Sequence, residues 1–269
     1  RDFGSRSPGG TMRRFRRRYD EIIDSLIADA LADPNFEDRT DVLSLMLRAR
    51  YDDGSRISNS HIADELLTLL TAGHETTATT LAWLIERVRR HPELLERLTR
   101  EADAGGSELQ QATIWEVQRV RPVIDGTSRR TVTRMRLGEW VIPENHVVMV
   151  SIALAHASRS RFPEPSAFDP DRFVGNPPDN YAWIPFGGGI RRCIGAAFAN
   201  MEMNVTLRTM LREFTFEPTD DPGEALHYRG VANAPGAGGL AVVRRRSDVY
   251  RPDGPANALA GIRPAASKE

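Results

Sequence analysis

The chain of 269 residues contains one cysteine, which excludes an internal disulfide. It also lacks a long apolar run. The longest candidate, Val147 to Ala155, falls well short of the roughly 18 residues that a membrane helix requires. No charge of one sign predominates: the formal net charge is −1, so a polyanionic partner has no electrostatic motive. Internal repeats are absent, no secretory leader is visible, and the first residue is Arg1 rather than methionine, so the chain reads as a fragment or a processed product. What remains is an ordinary globular composition, 40% hydrophobic and 27% charged.

The single cysteine lies in the most informative stretch, Phe186-Gly187-Gly188-Gly189-Ile190-Arg191-Arg192-Cys193-Ile194-Gly195. Three glycines let the backbone turn tightly and approach a bulky, flat group. Arg191 and Arg192 place positive charge beside the sulfur, and a helical run begins at Ala196. Cys193 is thus expected at or just before a helix N-terminus, where the dipole and free N–H groups favour a thiolate. Haem iron held by a single thiolate is one known outcome of such chemistry. The bland alternative is a buried structural cysteine after a glycine-rich turn.

Elsewhere the pattern is helical. Met12, Phe15, Tyr19, Ile22, Ile23, Leu26, Ile27 and Ala30 recur at helical spacing, with Thr11 as the expected cap after a loop over residues 1–10. Arg13, Arg14, Arg16, Arg17 and Arg18 fall mostly on the opposite face and read as a solvated surface rather than a nucleic-acid site. A short helix is expected over Thr40 to Arg50. A long one is expected from Ser58 until His91-Pro92 stops it, then helices over Pro92–Asp103 and Glu108–Val120. Gly73 weakens the long helix at mid-length, and Thr76 can turn its hydroxyl to the Ala72 carbonyl. Glu116 and Arg119, three apart, share a helix face. Thr131-Val132-Thr133, Trp140-Val141-Ile142 and Val147 to Val150 read as strands, residues 156–180 as an ordered meander, and 215–243 as short strands.

These residues resemble the cytochrome P-450 family. Phe186, Gly189, Arg191, Cys193 and Gly195 meet its haem-loop pattern, Phe-x-x-Gly-x-Arg-x-Cys-x-Gly. Ala72-Gly73-His74-Glu75-Thr76-Thr77 is similar to the oxygen-binding part of its central helix. Glu116-Val117-Gln118-Arg119 is similar to its Glu-x-x-Arg pair, departing from the usual Thr/Ser-Leu between them, and Pro170-Asp171-Arg172-Phe173 matches its Pro-x-Arg-Phe segment.

The resemblance implies a mainly α fold with a small β component, the C-terminal part of the family's fold, with a long central helix packed against a haem-thiolate loop. Residues 1–244 would form this partial domain, lacking the family's N-terminal portion, and 245–269 a disordered tail. Cys193 would ligate the iron of haem b. Ala72, Gly73, Phe186, Gly187, Gly195 and Ala199 would line the cofactor, and Arg191 would take a propionate. Arg129, expected at the head of the first strand, would take the other propionate or be a simple strand-end arginine. Thr76 would bond to dioxygen and Glu75 pass protons. Glu116, Arg119 and Arg172 would form a buried structural triad. His74 falls at a variable position and receives no metal role.

The activity implied is monooxygenation of an apolar small molecule by a cytoplasmic protein without a membrane segment, with dioxygen as co-substrate and a ferredoxin or reductase as electron donor. The alternative is a non-catalytic remnant that binds haem weakly or only a partner. With the pocket open to water, the chain alone is expected to bind haem weakly.

Overall fold

The computed structural model describes residues 7–246, so the expected tail of 245–269 lies outside the described residues apart from Arg245, which ends a strand, and Arg246, whose guanidinium bonds to Asp103. The chain divides into two compact units, one ending at Thr76 and the other beginning at Thr77.

The first unit is helical. α1 (Pro8–Ala32) starts three residues earlier than Thr11. Ser7 is the cap, accepting from the Gly10 amide at 3.1 Å, and Pro8 sits at the first helical position, where its missing N–H costs nothing. Those two signals outweigh the glycine pair that suggested a loop. α2 (Val42–Arg48) is shorter than expected because Asp41 caps it, accepting from the Ser44 amide at 3.0 Å. That amide bond, followed by Arg39, holds the Asp41 carboxyl down at about 2.

Ile23 and Ile27 of α1 pack with Ile62 and Ala63, the latter two on α3 (Asn59–Val88), whose 30 residues run through the division of the chain. Tyr19 Oη donates to the Ala63 carbonyl at 2.9 Å. Only part of the apolar stripe of α1 is buried: Met12, Phe15, Ile22 and Leu26 are exposed. The arginine face is solvated as expected, and Arg16 is anchored to Asp20 at 2.7 Å and Asp64 at 2.6 Å.

In the second unit, the end of α3 packs with α4 (Pro92–Asp103), α5 (Glu108–Val120) and α7 (Ala196–Glu213) around Trp83, Leu84, Leu98, Ile114, Val117, Met203, Leu207 and Leu211. Trp83 satisfies its indole N–H on the Asn233 carbonyl at 2.7 Å. Glu86 is fully buried yet bonded to Arg87, Arg90 and the Glu224 amide. Burial pushes its carboxyl up, but those donors outweigh it and hold it below the usual range.

Among the described residues, the β structure is four two-stranded antiparallel pairs. β1 (Gly126–Arg130) pairs with β4 (Val147–Ser151), and β2 (Met135–Leu137) with β3 (Trp140–Ile142). β5 (Phe214–Phe216) pairs with β8 (Val243–Arg245), and β6 (Leu226–Arg229) with β7 (Ala232–Pro235). The expected strand over Thr131–Thr133 is not formed. Thr131 instead closes the turn that follows β1, bonding through backbone and hydroxyl to Pro143, Asn145 and His146. Arg129 therefore lies inside β1, opposite Val148, rather than at a strand head. A short helix not expected from the sequence, α6 (Ile152–His156), leads into the meander, which itself holds a 3-10 turn at Pro170–Phe173.

Candidate functional site

The site is built from the cysteine loop outward. Gly187 N–H donates to the Ile184 carbonyl at 2.9 Å, and Cys193 N–H donates across the loop to the Phe186 carbonyl at 3.0 Å. Gly187 (φ 69°) and Gly189 (φ 67°) occupy the left-handed region, which costs a side-chain-bearing residue about 1–2 kcal/mol. This is the local reason for the glycines. Gly189–Arg191 makes one 3-10 turn, and Gly195 begins α7 without a side-chain cap.

Cys193 is exposed. Ile190, Ile194 and Phe198, which flank it in the chain, are exposed as well. A Cβ added at Gly187, Gly188 or Gly189 would meet nothing within 4 Å, and one at Gly195 would only touch Cys193 Sγ at 3.8 Å. Arg191 is exposed and makes no hydrogen bond or ion pair among the described residues. Arg129 is exposed, with its guanidinium on Thr127 Oγ1 and the Ser128 carbonyl. Phe186 and Ala199 are half-buried. The loop thus presents a soft donor amid apolar side chains on open glycine backbone, with an unpaired cation nearby. That donor set fits a haem held by one thiolate.

Behind the loop lies a dense polar cluster. Glu116, fully buried, accepts two bonds from Arg119, Nε to Oε2 and Nη2 to Oε1, both at 2.7 Å. Arg172 Nε donates to Glu116 Oε1 at 3.3 Å, and the Asp169 N–H donates to the same oxygen at 2.9 Å. Arg119 spends its other donors on the carbonyls of His156, Pro165 and Ala167. The three triad residues are therefore brought together, and every charge among them is met.

His156 joins this cluster to the loop. Its Nε2 accepts the Ile184 amide at 2.9 Å, so Nδ1 carries the proton and donates to the Arg119 carbonyl at 3.2 Å. Burial, followed by the Arg119 charge and opposed by the Arg119 carbonyl bond, lowers its pKa to about 4, so the ring is neutral. Trp183 extends the support: Nε1 donates to the Trp115 carbonyl at 3.0 Å, and its ring lies 6.0 Å from that of Phe186. Sequence reasoning missed both residues. Their partners are backbone groups far along the chain, which no local spacing encodes.

The segment from Ala72 to Thr76 belongs to the first unit. There Thr76 Oγ1 donates to the Ala72 carbonyl at 2.8 Å, the back-bond anticipated for a threonine at this point. Ala72 and Gly73 are exposed, a Cβ on Gly73 would meet nothing within 4 Å, and Glu75 and Thr76 are half-buried.

The sequence matches the Cytochrome P450 family model over residues 5–240. The chain belongs to the cytochrome P450 family. It is 58% identical over 247 residues to a protein of Mycobacterium tuberculosis and Mycobacterium bovis named "Putative cytochrome P450 138", covering 91% of this chain and 56% of that one. A second relative from both organisms, P450 135B1, also named as putative, is 40% identical over 245 residues, covering 88% of this chain and 52% of its own length. Among solved structures, a cytochrome P450 named CYP102L1 superposes with a TM-score of 0.75 at 26% identity, covering 88% of this chain and 58% of that one. A cyanobacterial CYP120A1 bound to retinoic acid gives 0.73 at 26% identity, covering 90% and 59%. The chain thus spans a little over half the length of these P450 relatives. Among the described residues, no helix is long and apolar enough to cross a membrane.

Proposed function

We propose that this chain carries the thiolate ligand and the oxygen-handling helix of a haem-thiolate monooxygenase that hydroxylates an apolar small molecule. The observation that carries the reading is an exposed Cys193 on a loop closed by its own amide on the Phe186 carbonyl. Haem b bound there supplies the activation of dioxygen, with electrons from a ferredoxin or reductase.

The protein supplies the rest. Cys193 Sγ would donate to the metal, and the open backbone at Gly187, together with Phe186, Gly195 and Ala199, would let the flat ring approach. Arg191 and Arg129 offer guanidinium forks to the cofactor's carboxylates. In the helix, Thr76 donates its hydroxyl proton to the Ala72 carbonyl, so Oγ1 would act as an acceptor that orients a water beside dioxygen. Glu75 holds and passes the proton, and Gly73 with Ala72 leaves space for a small diatomic ligand. Glu116, Arg119 and Arg172 are structural.

The test is haem reconstitution of the chain followed by reduction under carbon monoxide. The expected result is the long-wavelength band of a thiolate-ligated ferrous carbonyl, lost in Cys193→Ser. An unchanged spectrum in that variant would remove Cys193 as ligand. Turnover of apolar substrates with NADPH and a reductase then separates an enzyme from a haem-binding remnant: a folded chain that shows the thiolate band but no product is the remnant.

A further inference from the structure

We propose a second binding site, for a small aromatic monocarboxylate, in the cleft between α5 and α7. The cleft measures about 390 Å³, within the size range of small-molecule sites. Gln111 and Trp115, one turn apart on α5, line one wall; Asn204 and Arg208, one turn apart on α7, line the other, with Phe173 at one end.

Three polar atoms of its lining residues are unmet. Asn204 Nδ2 donates to Gln111 Oε1 at 2.7 Å and to the Asn200 carbonyl at 2.9 Å, which fixes the orientation of both amides. Gln111 Nε2 and Asn204 Oδ1 are left buried without a partner, and so is Arg208 Nε. Arg208 makes no ion pair or hydrogen bond among the described residues, although Glu108 lines the same cleft. Buried polar groups in folded proteins are nearly always met, so three orphan atoms on residues that line one cavity mark a place for a ligand, which a small side-chain adjustment would bring within reach of them.

The chemistry of that ligand follows from the groups. A guanidinium N–H and an amide N–H together suit the two oxygens of a carboxylate. Glu108 disfavours a multiply charged anion such as phosphate, and Asn204 Oδ1 can accept from an amino or hydroxyl substituent. Trp115 and Phe173 meet edge to face, 6.2 Å apart at 81°, and offer an aromatic surface to the ligand's ring. The site uses no residue of the cysteine loop and its test needs no haem, so its fate is independent of the proposed monooxygenase.

The experiment is calorimetric titration of the full chain with benzoate and its amino- and hydroxy-substituted forms, with benzamide and inorganic phosphate as comparisons. The carboxylates should bind at micromolar to millimolar concentration, and benzamide and phosphate at least about tenfold more weakly. Gln111→Glu keeps the acceptor for Asn204 Nδ2 while giving Arg208 an internal partner. It should abolish carboxylate binding without lowering the melting temperature. Arg208→Met should abolish binding too. The absence of benzoate binding at millimolar concentration, equal binding of benzamide or phosphate, or undiminished binding in either variant would overturn the proposal.

Discussion

Glu116 and Cys193 stand at opposite extremes of the same unit. Glu116 is fully buried, and each of its oxygens is met by donors from the chain itself. Cys193 is exposed, its amide is tied back, and its sulfur faces outward among exposed isoleucines and a phenylalanine. The first arrangement is complete without any ligand; the second leaves its sulfur open to solvent, as the proposed haem site requires. The difference teaches where each motif acts. The Glu-x-x-Arg pair fixes backbone by gathering the His156, Pro165 and Ala167 carbonyls onto Arg119. The cysteine loop inherits that rigidity through His156 and Ile184.

The sharpest way to break the comparison is Arg119→Met, which leaves Glu116 buried without its bidentate partner. Such a loss costs about 3–5 kcal/mol, and thermal unfolding should show a large drop in melting temperature; a change under about 1 kcal/mol would mean the cluster is not a staple. Acidification comes next. His156 is depressed to about 4 from an unfolded value near 6.5, so below 6.5 the unfolded chain takes up a proton that the folded one refuses. Its contribution is therefore fully present above pH 6.5 and falls as pH drops toward 4, by at most about 3 kcal/mol. Urea titrations of the wild type and His156→Gln at pH 7.5 and pH 4.5 should show a smaller pH dependence in the variant; equal slopes would contradict the neutral, buried ring.

Smaller effects test the loop. Gly187→Ala places a side chain in left-handed backbone and should cost about 1–2 kcal/mol. Gly188→Ala, at φ −155° and with open space, should cost less than half as much. Smallest of all, Cys193→Ser should shift the stability of the haem-free chain by within about 0.5 kcal/mol, as for other exposed positions. A fall comparable to that of Arg119→Met would make the cysteine a structural residue after all.

Much of this contrast was legible in the sequence, for reasons that differ by element. α4 and α5 could be bounded because Pro92 starts one and Gly105-Gly106 separates them. The triad was legible only because a family pattern linked Glu116 to an arginine 56 residues on; spacing alone said no more than a surface pair. β1 was misplaced because Gly126-Thr127-Ser128-Arg129-Arg130 has little strand character, and pairing with Val147–Ser151 decides it. The start of α1 was misplaced because its glycines spoke louder than Ser7-Pro8. His156 and the cleft of Gln111 and Arg208 had no signal at all, since both arise only when distant segments meet.

The most direct measurement is the alkylation of Cys193 by iodoacetamide in the folded chain, with and without haem. The account predicts rapid modification of the haem-free chain at this single cysteine, and suppression of it on titration with haem while folding is unchanged. A thiol that haem leaves as reactive as before, or that is inert in the haem-free chain, would contradict the assignment of Cys193 as the presented ligand.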